Sequence, residues 1–435
     1  MARIWNRISN YKAAILSLFH ESLCKRSRYR AILQLSTLIS IVSSASAPAD
    51  EWTLKGSLWQ QAQYNDNIGL TSSLQQSVIG YLLAPSLQAT LKTGRFDMDF
   101  NGLGDIRRYD DSRWDCDNYN LGLNSAYRTD RNVFSLRGVY SSNCSYSQQV
   151  SDTGILLPTL QTQNYKVSPA WAWKWTPRID LFAETSYSNT SYTGIGGSSG
   201  SAILSGNETY FVNIGGNHLW SPRIILNGTV YYSHIQYTGA NTTVQYYYGI
   251  QSGVNYIISQ KWKASIGAGP RISNMQSQSS GVSTAQNATT SIGYTANVNL
   301  NYNGELTSLS LGYSNSILPS AIGQTVQNQS FYISYLYRIK QNISLDLITN
   351  YTNSQSIGSQ TGSNLTSNFN RDYLSASLGL AWQINKDWQL KGSYLYRWQH
   401  YPQQGTTQSL FAGTADSNTV MLFLNYAWDG VSNAH

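Results

Sequence analysis

One pattern runs through most of this sequence and limits what it can fold into. From Trp52 to Trp428, segments of about ten to sixteen residues alternate large apolar side chains with small or polar ones, and each ends in a turn signal. The stretches 165–175, 244–251 and 291–302 show the alternation most clearly. A period of two is the signature of β-strands, and helical spacing is hard to find between the recurrent Pro and Gly residues. The chain is therefore predicted to be all-β.

The composition of the two strand faces separates a membrane barrel from a β-sandwich. The polar face consists largely of Asn, Ser, Gly, Thr and Gln, and only 12% of all residues are charged, whereas a soluble sandwich exposes a charged face. The apolar face is rich in aromatic residues, with 13 Trp and 32 Tyr in the chain. Lipid outside and water inside require this combination, so we predict a transmembrane barrel of the bacterial outer membrane.

The links between the segments predict the strand count and the orientation. Tight links and longer links alternate along the chain. The tight links lie at 93–94, 129–131, 176–178, 221–223, 259–260, 303–304, 340–341 and 385–387, and the longer ones near 67–77, 109–113, 148–161, 192–204, 237–241, 276–286, 316–325, 354–367 and 401–415. Bacterial barrels have short periplasmic turns and longer outer loops. We therefore predict a single up-and-down antiparallel barrel of about 18 strands over residues 50–435, with both termini in the periplasm; 16 strands is the alternative if the weakest segments merge.

Residues 1–47 have the three parts of a secretory signal peptide. The first thirty residues hold seven basic side chains against one acid, Glu21, and so carry +6 of the net charge of +7. An apolar run over 31–42 and the small residues 43–49 follow, with cleavage after Ala45 or Ala49 as alternatives. A membrane anchor is the other interpretation, but the run is short for a span. Because the basic charge belongs to this leader, no nucleic-acid partner is expected.

Aromatic and cysteine positions predict two structural features. Cys116 and Cys144 flank the tight turn near residue 130 at nearly equal distances, and an oxidising compartment favours a structural disulfide between them. Strand alternation places even residues inward on one strand and outward on the next, so the bond requires a bulge or irregular geometry beyond the membrane. Seven tryptophans near tight turns or termini predict an aromatic girdle at the periplasmic interface: Trp52, Trp175, Trp220, Trp262, Trp382, Trp388 and Trp428.

Charged residues at inward strand positions are the candidates for contact with a solute. A lipid-facing Arg or Lys at the bilayer midplane costs roughly 2–4 kcal/mol, so such residues should face water. Both signs occur, which argues against strong ion selectivity, and a solvated wall with internal ion pairs is the alternative interpretation. The candidates are Arg95, Asp97, Asp99, Asp105, Arg107, Lys166, Lys174, Asp180, Glu184, Lys261, Lys263, Arg271, Arg338, Lys391 and Arg397.

The sequence does not predict an enzyme. His218, His234 and His400 are the internal histidines of the predicted barrel, and no spacing suggests a metal site or a cofactor. Ser233 and His234 are adjacent in one strand, so their side chains point to opposite faces and cannot form a dyad. The link 148–161 contains an unusually apolar stretch at 154–158. This third outer loop is expected to fold inward and constrict the lumen, to pack on the rim or to meet a partner.

The beginning of the predicted barrel resembles a known family. The residues are Tyr64-Asn65-Asp66-Asn67-Ile68, then Leu83-Ala84-Pro85-Ser86-Leu87, then Arg108-Tyr109. They resemble the opening of the beta-barrel porin 2 family and of outer-membrane barrels found with exopolysaccharide gene clusters. The end of the last strand, Tyr426-Ala427-Trp428, resembles an aromatic-x-aromatic assembly signal. The resemblance implies a channel-type barrel, sometimes tied to polysaccharide export, and no catalytic residues.

These observations predict passage of polar material across the outer membrane without chemistry. Exopolysaccharide export, alongside periplasmic polysaccharide-export proteins, is the first hypothesis. A general diffusion porin for small hydrophilic solutes is the second. A surface-exposed structural or adhesive barrel ranks lower, because the outer loops are short. The expected partners are outer-membrane lipid and either polysaccharide or small polar solutes.

Overall fold

The computed structural model describes residues 51–72, 75–144, 160–194, 205–238, 241–279, 287–319, 325–357, 370–401 and 413–433. Eighteen strands and a one-turn 3₁₀ helix, Ser112–Trp114, account for nearly all of these residues. The strands are β1 (Glu51–Asn65), β2 (Val78–Lys92), β3 (Phe96–Tyr109), β4 (Cys116–Arg128), β5 (Asn132–Asn143), β6 (Leu160–Thr176), β7 (Ile179–Gly194), β8 (Gly206–Ser221), β9 (Ile224–Thr238), β10 (Asn241–Ile257), β11 (Trp262–Ser279), β12 (Asn287–Asn303), β13 (Thr307–Pro319), β14 (Thr325–Lys340), β15 (Ile343–Ile357), β16 (Asn370–Gln383), β17 (Trp388–Tyr401) and β18 (Gly413–Asn433).

The strands form one closed antiparallel sheet. Each strand pairs with its neighbours in sequence, and β1 pairs with both β2 and β18, which closes the ring. The prediction of an up-and-down barrel with 18 strands is therefore confirmed, and the 16-strand alternative is wrong. Closure leaves no long unpaired strand edge in most of the sheet. Backbone N–H and C=O groups must be hydrogen-bonded within the protein to cross lipid, and a closed barrel meets this requirement. Within the described residues, no helix is long and apolar enough to cross a membrane.

The two ends of the barrel differ in their connections. The strands are joined by short turns at one end, which also carries Glu51 and Asn433, and we call it the turn end. The other end, the loop end, carries the longer links. One predicted long link, 237–241, is wrong, because β9 continues to Thr238 and β10 begins at Asn241. The β-branched and aromatic residues on both sides of Gly239 extend the two strands into the predicted loop.

Contacts across the barrel identify its inner face. The Tyr237 hydroxyl on β9 lies 3.1 Å from the Thr325 hydroxyl on β14, and the two strands are not neighbours. The opposite face exposes a continuous apolar belt. Ile214, Val230 and Ile250 are paired residues of three adjacent strands in this belt, and each is 58% exposed. An exposed apolar surface of this extent requires lipid.

Aromatic side chains border the apolar belt at both ends. The seven predicted tryptophans lie on the outward face at the turn end, and Trp220 is 65% exposed. Tyrosines occupy the outward face nearer the loop end, where Tyr210, His234 and Tyr246 stack across β8, β9 and β10 with ring centroids 5.9 and 4.9 Å apart. Tyr210 and Trp220 are ten positions apart on β8. At about 3.3 Å per residue and a tilt near 40°, this separation is about 25 Å, the height of an outer-membrane apolar band. The chain is thus a bacterial outer-membrane barrel.

Candidate functional site: the lumen

The strand registers place most of the predicted lumen residues on the inner wall. The inward set consists of Asp97, Asp99, Asp105, Arg107, Lys166, Lys174, Asp180, Glu184, Lys263, Arg271, Arg338, Lys391 and Arg397. Arg95 and Lys261 are corrections, because both lie in tight turns rather than on strands. Both turns end one residue later than the alternation suggested, so these two residues belong to the turns and not to the following strands.

The turn half of the inner wall is open to solvent. Inward residues such as Gln88 on β2, Asn101 on β3 and Asn124 on β4 are exposed. Its charges also form ion pairs across strands. Arg128 on β4 pairs with Asp97 on β3. This pair joins the two strands near the turn end.

A second ion pair in the turn half spans three strands. Lys391 Nζ on β17 lies 2.8 Å from Asp346 Oδ1 on β15, with β16 between them. Gly379 on β16 makes this reach possible, since a Cβ there would lie 2.6 Å from Lys391 Cε and 2.7 Å from Asp346 Oδ1. The sequence analysis missed Asp346, although it alternates with Leu345 and Leu347 and was readable as inward.

The loop half of the same wall is buried. Inward hydroxyl and amide side chains on many strands are almost inaccessible; these include Asn65, Asn118, Ser233, Gln245, Ser273, Ser354, Ser417 and Thr419, none more than 5% exposed. Residues that line a wide aqueous pore would remain accessible to solvent. The loop half is therefore closed by protein in this structure.

The first link, 66–77, supplies part of this closure. Leu70 is 0% exposed and packs against Tyr373 on β16 and Ala415 on β18. Gln399 Nε2 on β17 donates to the Leu70 carbonyl oxygen at 2.7 Å. Leu70 also has a φ of +46°, in the left-handed region that a leucine rarely adopts. The segment around Leu70 is thus held inside the mouth of the barrel by packing that outweighs local strain.

Polar residues at the end of β1 attach this link to β18. Asn67 Nδ2 donates to the Asp416 carbonyl oxygen at 2.8 Å, and Asn65 Oδ1 accepts from the Asn67 amide at 2.9 Å. The Asp66 carboxylate accepts from the backbone and side-chain amides of Asn418, both at 2.6 Å. The residues that carry the family resemblance therefore close the β1–β18 side of the loop end.

The neighbouring link, 110–115, packs on the other side of the first link. Ile68 forms a buried cluster with Val78 and Trp114, and Tyr109 borders it. Asp111 caps the 3₁₀ helix by accepting from the Arg113 amide. Hydrogen bonds from the Arg113 guanidinium hold the pKa of Asp111 well below its usual value. The predicted constriction by the third outer loop, 148–161, falls on residues that lie almost wholly outside the described part of the chain.

Several arginines of the loop half are buried. Arg371 at the beginning of β16 is 2% exposed, lies over the Tyr373 ring at 5.2 Å and hydrogen-bonds Tyr401. Arg397 on β17 is 4% exposed, and its Nη2 lies 3.1 Å from the Ser417 hydroxyl. Arg107 has a carboxylate partner, Asp105, at 2.6 Å. The sequence analysis missed Arg371, which stands next to a long polar link where alternation gives no signal.

The hairpin of β13 and β14 contributes to closure on the opposite side. The pairing of β12 with β13 ends at Ala296 and Asn315, so residues 287–295 of β12 have no described partner on that side. Thr325, at the beginning of β14, is 0% exposed and contacts Tyr237 on β9. The described outer end of this hairpin, at Thr325, therefore lies over the lumen, and the β12–β13 ladder is interrupted beside it.

The two cysteines form a disulfide at the loop end. Their Cα atoms lie 5.9 Å apart. Cys116 is the first residue of β4, whereas Cys144 follows the last residue of β5, and the ladder of these strands ends at Tyr119 and Ser142. The bond thus forms beyond the regular ladder, where strand alternation no longer dictates the direction of the side chain.

The histidines lie on the outward face. His234 stacks between Tyr210 and Tyr246, His218 contacts Trp220 edge-on, and His400 lies against Trp398. None of the three lines the lumen, because each occupies a lipid-side position in its register. In the described ranges, no group of three or more His, Cys, Asp or Glu residues is placed to hold a metal ion.

Comparison with known proteins finds similarity of structure alone. No family model matches the chain, and no curated protein matches it in sequence. The ferric citrate transporter FecA in its unliganded form is similar at 8% identity and TM-score 0.47, over 86% of this chain and 79% of that chain. OccAB3 of Acinetobacter baumannii has 12% identity and TM-score 0.41, over 86% and 99% of the two chains. OpdL of Pseudomonas aeruginosa has 13% identity and TM-score 0.40, over 87% and 98%.

Proposed function

We propose that this barrel is a channel for polar material across the outer membrane and that its cargo is an exported polysaccharide. The composition of the inner wall carries the proposal. Hydroxyl and amide side chains line both halves, and tyrosine rings such as Tyr231, Tyr247 and Tyr332 face the lumen. Sugar hydroxyls donate and accept hydrogen bonds as these side chains do. Aromatic rings offer apolar faces with a polar edge, which suits the mixed surface of a sugar ring.

The orientation follows from the connections and belongs to the same proposal. Short turns and both ends of the described barrel lie at the turn end, and bacterial barrels place short turns in the periplasm. The open half of the lumen then faces the periplasm, where an exported polymer and its export proteins would be. The closed half faces the outside, where closure protects the periplasm from external solutes.

A general diffusion porin for small hydrophilic solutes is the second candidate. The turn half of the lumen favours it, because exposed inward charges of both signs, such as Lys92 and Asp180, line an open space. The buried first link counts against it, since a general porin needs a permanently open path.

Single-channel conductance of the refolded protein in a planar bilayer tests the proposal. A closed or flickering channel that added long-chain polysaccharide occludes would support export. Steady ohmic conductance unaffected by the polymer would contradict export and favour general diffusion. Polyethylene glycol of the same hydrodynamic size is the control, because it blocks by size alone and offers no hydroxyl-rich surface.

A further inference from the structure

A row of paired residues in the lumen places one arginine between two glycines. Tyr231 on β9 pairs with Gly249 on β10, Gly249 pairs with Arg271 on β11, and Arg271 pairs with Gly293 on β12. All four positions face inward. A residue with a large side chain therefore alternates with a glycine along the row.

The two glycines leave room for the large side chains to lie along the wall. A Cβ on Gly249 would lie 2.5 Å from the Tyr231 hydroxyl, and a Cβ on Gly293 would lie 2.5 Å from Arg271 Nη2. At each glycine, the side chain of a paired residue therefore occupies the space that a Cβ atom would fill in any other residue. We call this site, formed by Tyr231, Tyr247, Gly249, Arg271 and Gly293, the Arg271 cradle.

Among the described residues, no carboxylate pairs with the guanidinium of Arg271. Arg271 is 2% exposed, and its Nε and Nη1 have no hydrogen-bond partner among the described residues. The groups that act on it electrostatically are the hydroxyls of Tyr231 and Tyr247, with no carboxylate among them. Arg107 differs, since Asp105 binds it at 2.6 Å. Burying an unpaired charge is unfavourable, so the site is incomplete without an anion.

Tyr231 and Tyr247, which act on this guanidinium, belong to a group of inward aromatic rings. Phe211 and Tyr231 are stacked with ring centroids 6.4 Å apart, and Tyr247 meets Tyr231 edge-on at 6.4 Å. A carboxylate can accept a charge-assisted hydrogen bond from Nε or from Nη1, and in two-point geometry it takes Nη2 together with one of them. A carboxylate on a ring-shaped, hydroxyl-rich molecule would satisfy the fork and stack on these aromatic faces at once.

We propose that the Arg271 cradle binds the carboxylate of an acidic sugar unit, which rests on the proposed passage of polysaccharide through the lumen. The cradle is covered in this structure, so a ligand must displace the side chains above it. Gly293 belongs to the part of β12 that has no described pairing with β13. The wall beside the cradle therefore lacks ladder hydrogen bonds on that side and can yield to an entering sugar.

Calorimetric titration of the refolded full-length protein in detergent tests the cradle directly. The probes are trigalacturonate, which carries carboxylates, and maltotriose, which is neutral. Wild-type protein should bind trigalacturonate more tightly than maltotriose. Arg271→Gln should weaken trigalacturonate roughly tenfold or more, the usual range for losing a charge-assisted two-point contact, and leave maltotriose unchanged. Arg223→Gln, an exposed arginine in the turn between β8 and β9, is the control and should change neither.

A second variant distinguishes loss of the binding site from loss of the arginine charge. Gly293→Leu keeps the arginine charge but fills the cradle, and should weaken trigalacturonate as Arg271→Gln does. Equal trigalacturonate affinity in wild type and Arg271→Gln would overturn the proposal, as would acetate competing as well as trigalacturonate. A different outcome would separate the two proposals. If polysaccharide did not occlude the channel but Arg271→Gln still weakened trigalacturonate binding, polysaccharide transport would be contradicted and the anion site would be supported.

Discussion

The two halves of the inner wall are built by the same strands but differ in what covers them. On β1, inward Gln61 in the loop half is 8% exposed, whereas inward Lys55 in the turn half is exposed. On β2, Leu82 is 8% exposed and Gln88 is exposed. Strand chemistry does not explain this difference, because polar and apolar side chains are buried alike in the loop half. Segments outside the strand ladder close the lumen.

The difference has a simple physical origin. Turns of two to four residues cannot reach the barrel axis, so the turn end stays open. The link 66–77 is long enough to fold back, and it carries Ile68 and Leu70, which gain from burial, beside Asn65, Asp66 and Asn67, which pair with β18. The comparison predicts that changes in the loop half alter closure, while similar changes in the turn half do not.

Replacing residues 67–76 with a short Gly-Ser linker should have the largest effect. Removing Ile68 and Leu70 from the mouth opens the path, so single-channel conductance should rise severalfold. Gln88→Ala in the open turn half is the control and should leave conductance nearly unchanged. An unchanged conductance after the replacement would mean that another segment sets the constriction.

Leu70→Ala should loosen the first link without removing it. Leu70 is 0% exposed, and deleting a fully buried leucine side chain costs roughly 2–5 kcal/mol. Amide exchange in the peptide 66–72 should therefore accelerate. Leu103→Ala is the matched control, since Leu103 faces the lumen but is 37% exposed, and it should cost about 0.5 kcal/mol. Equal effects at the two sites would contradict the contrast between the halves.

The double substitution Cys116→Ser and Cys144→Ser should destabilise the loop end moderately. Opening a cross-link of 28 residues' separation restores denatured-state entropy worth about 2–4 kcal/mol. The temperature at which the barrel unfolds in detergent should fall, and reductant should shift the wild type by the same amount. Conductance should not change, because the bond lies beyond the β4–β5 ladder. A reductant-insensitive wild type would argue that the two thiols are unbonded.

Gly379→Ala should give the smallest effect. A Cβ there would push Lys391 and Asp346 apart, and a half-solvated ion pair is worth about 1 kcal/mol or less. Thermal unfolding should shift slightly, and the ratio of cation to anion permeability should change as the pair opens. Gly392→Ala is the control, because a Cβ on Gly392 meets nothing within 4 Å. Identical behaviour of the two variants would show that the ion pair does not shape the turn half.

Much of the barrel could be predicted because its signals are local. Alternation of the kind seen along 291–302 predicted the strands and the face on which each side chain lies, and the aromatic content of one face predicted a membrane location. Inward residues such as Lys391 and Arg397 were predicted by following the same alternation along each strand. The prediction failed where a position is set by distant partners. Arg95 and Lys261 lie in turns, and where a turn ends depends on the pairing of the flanking strands. Arg371 is held by contacts with the side chains of Tyr401 and Tyr373 on the inner wall.

The sequence by itself predicted that this chain forms a closed, lipid-facing barrel, because a period of two with an aromatic-rich apolar face and a largely uncharged polar face is the pattern of a membrane barrel. Only the tertiary structure decided that the first link enters the lumen and that Arg271 has no carboxylate partner among the described residues. Leu70 meets Tyr373 and Ala415 across more than three hundred residues of chain, and Arg271 lies against Gly293 of the neighbouring strand. Such contacts depend on ring closure and register, which bring together residues that no local pattern relates.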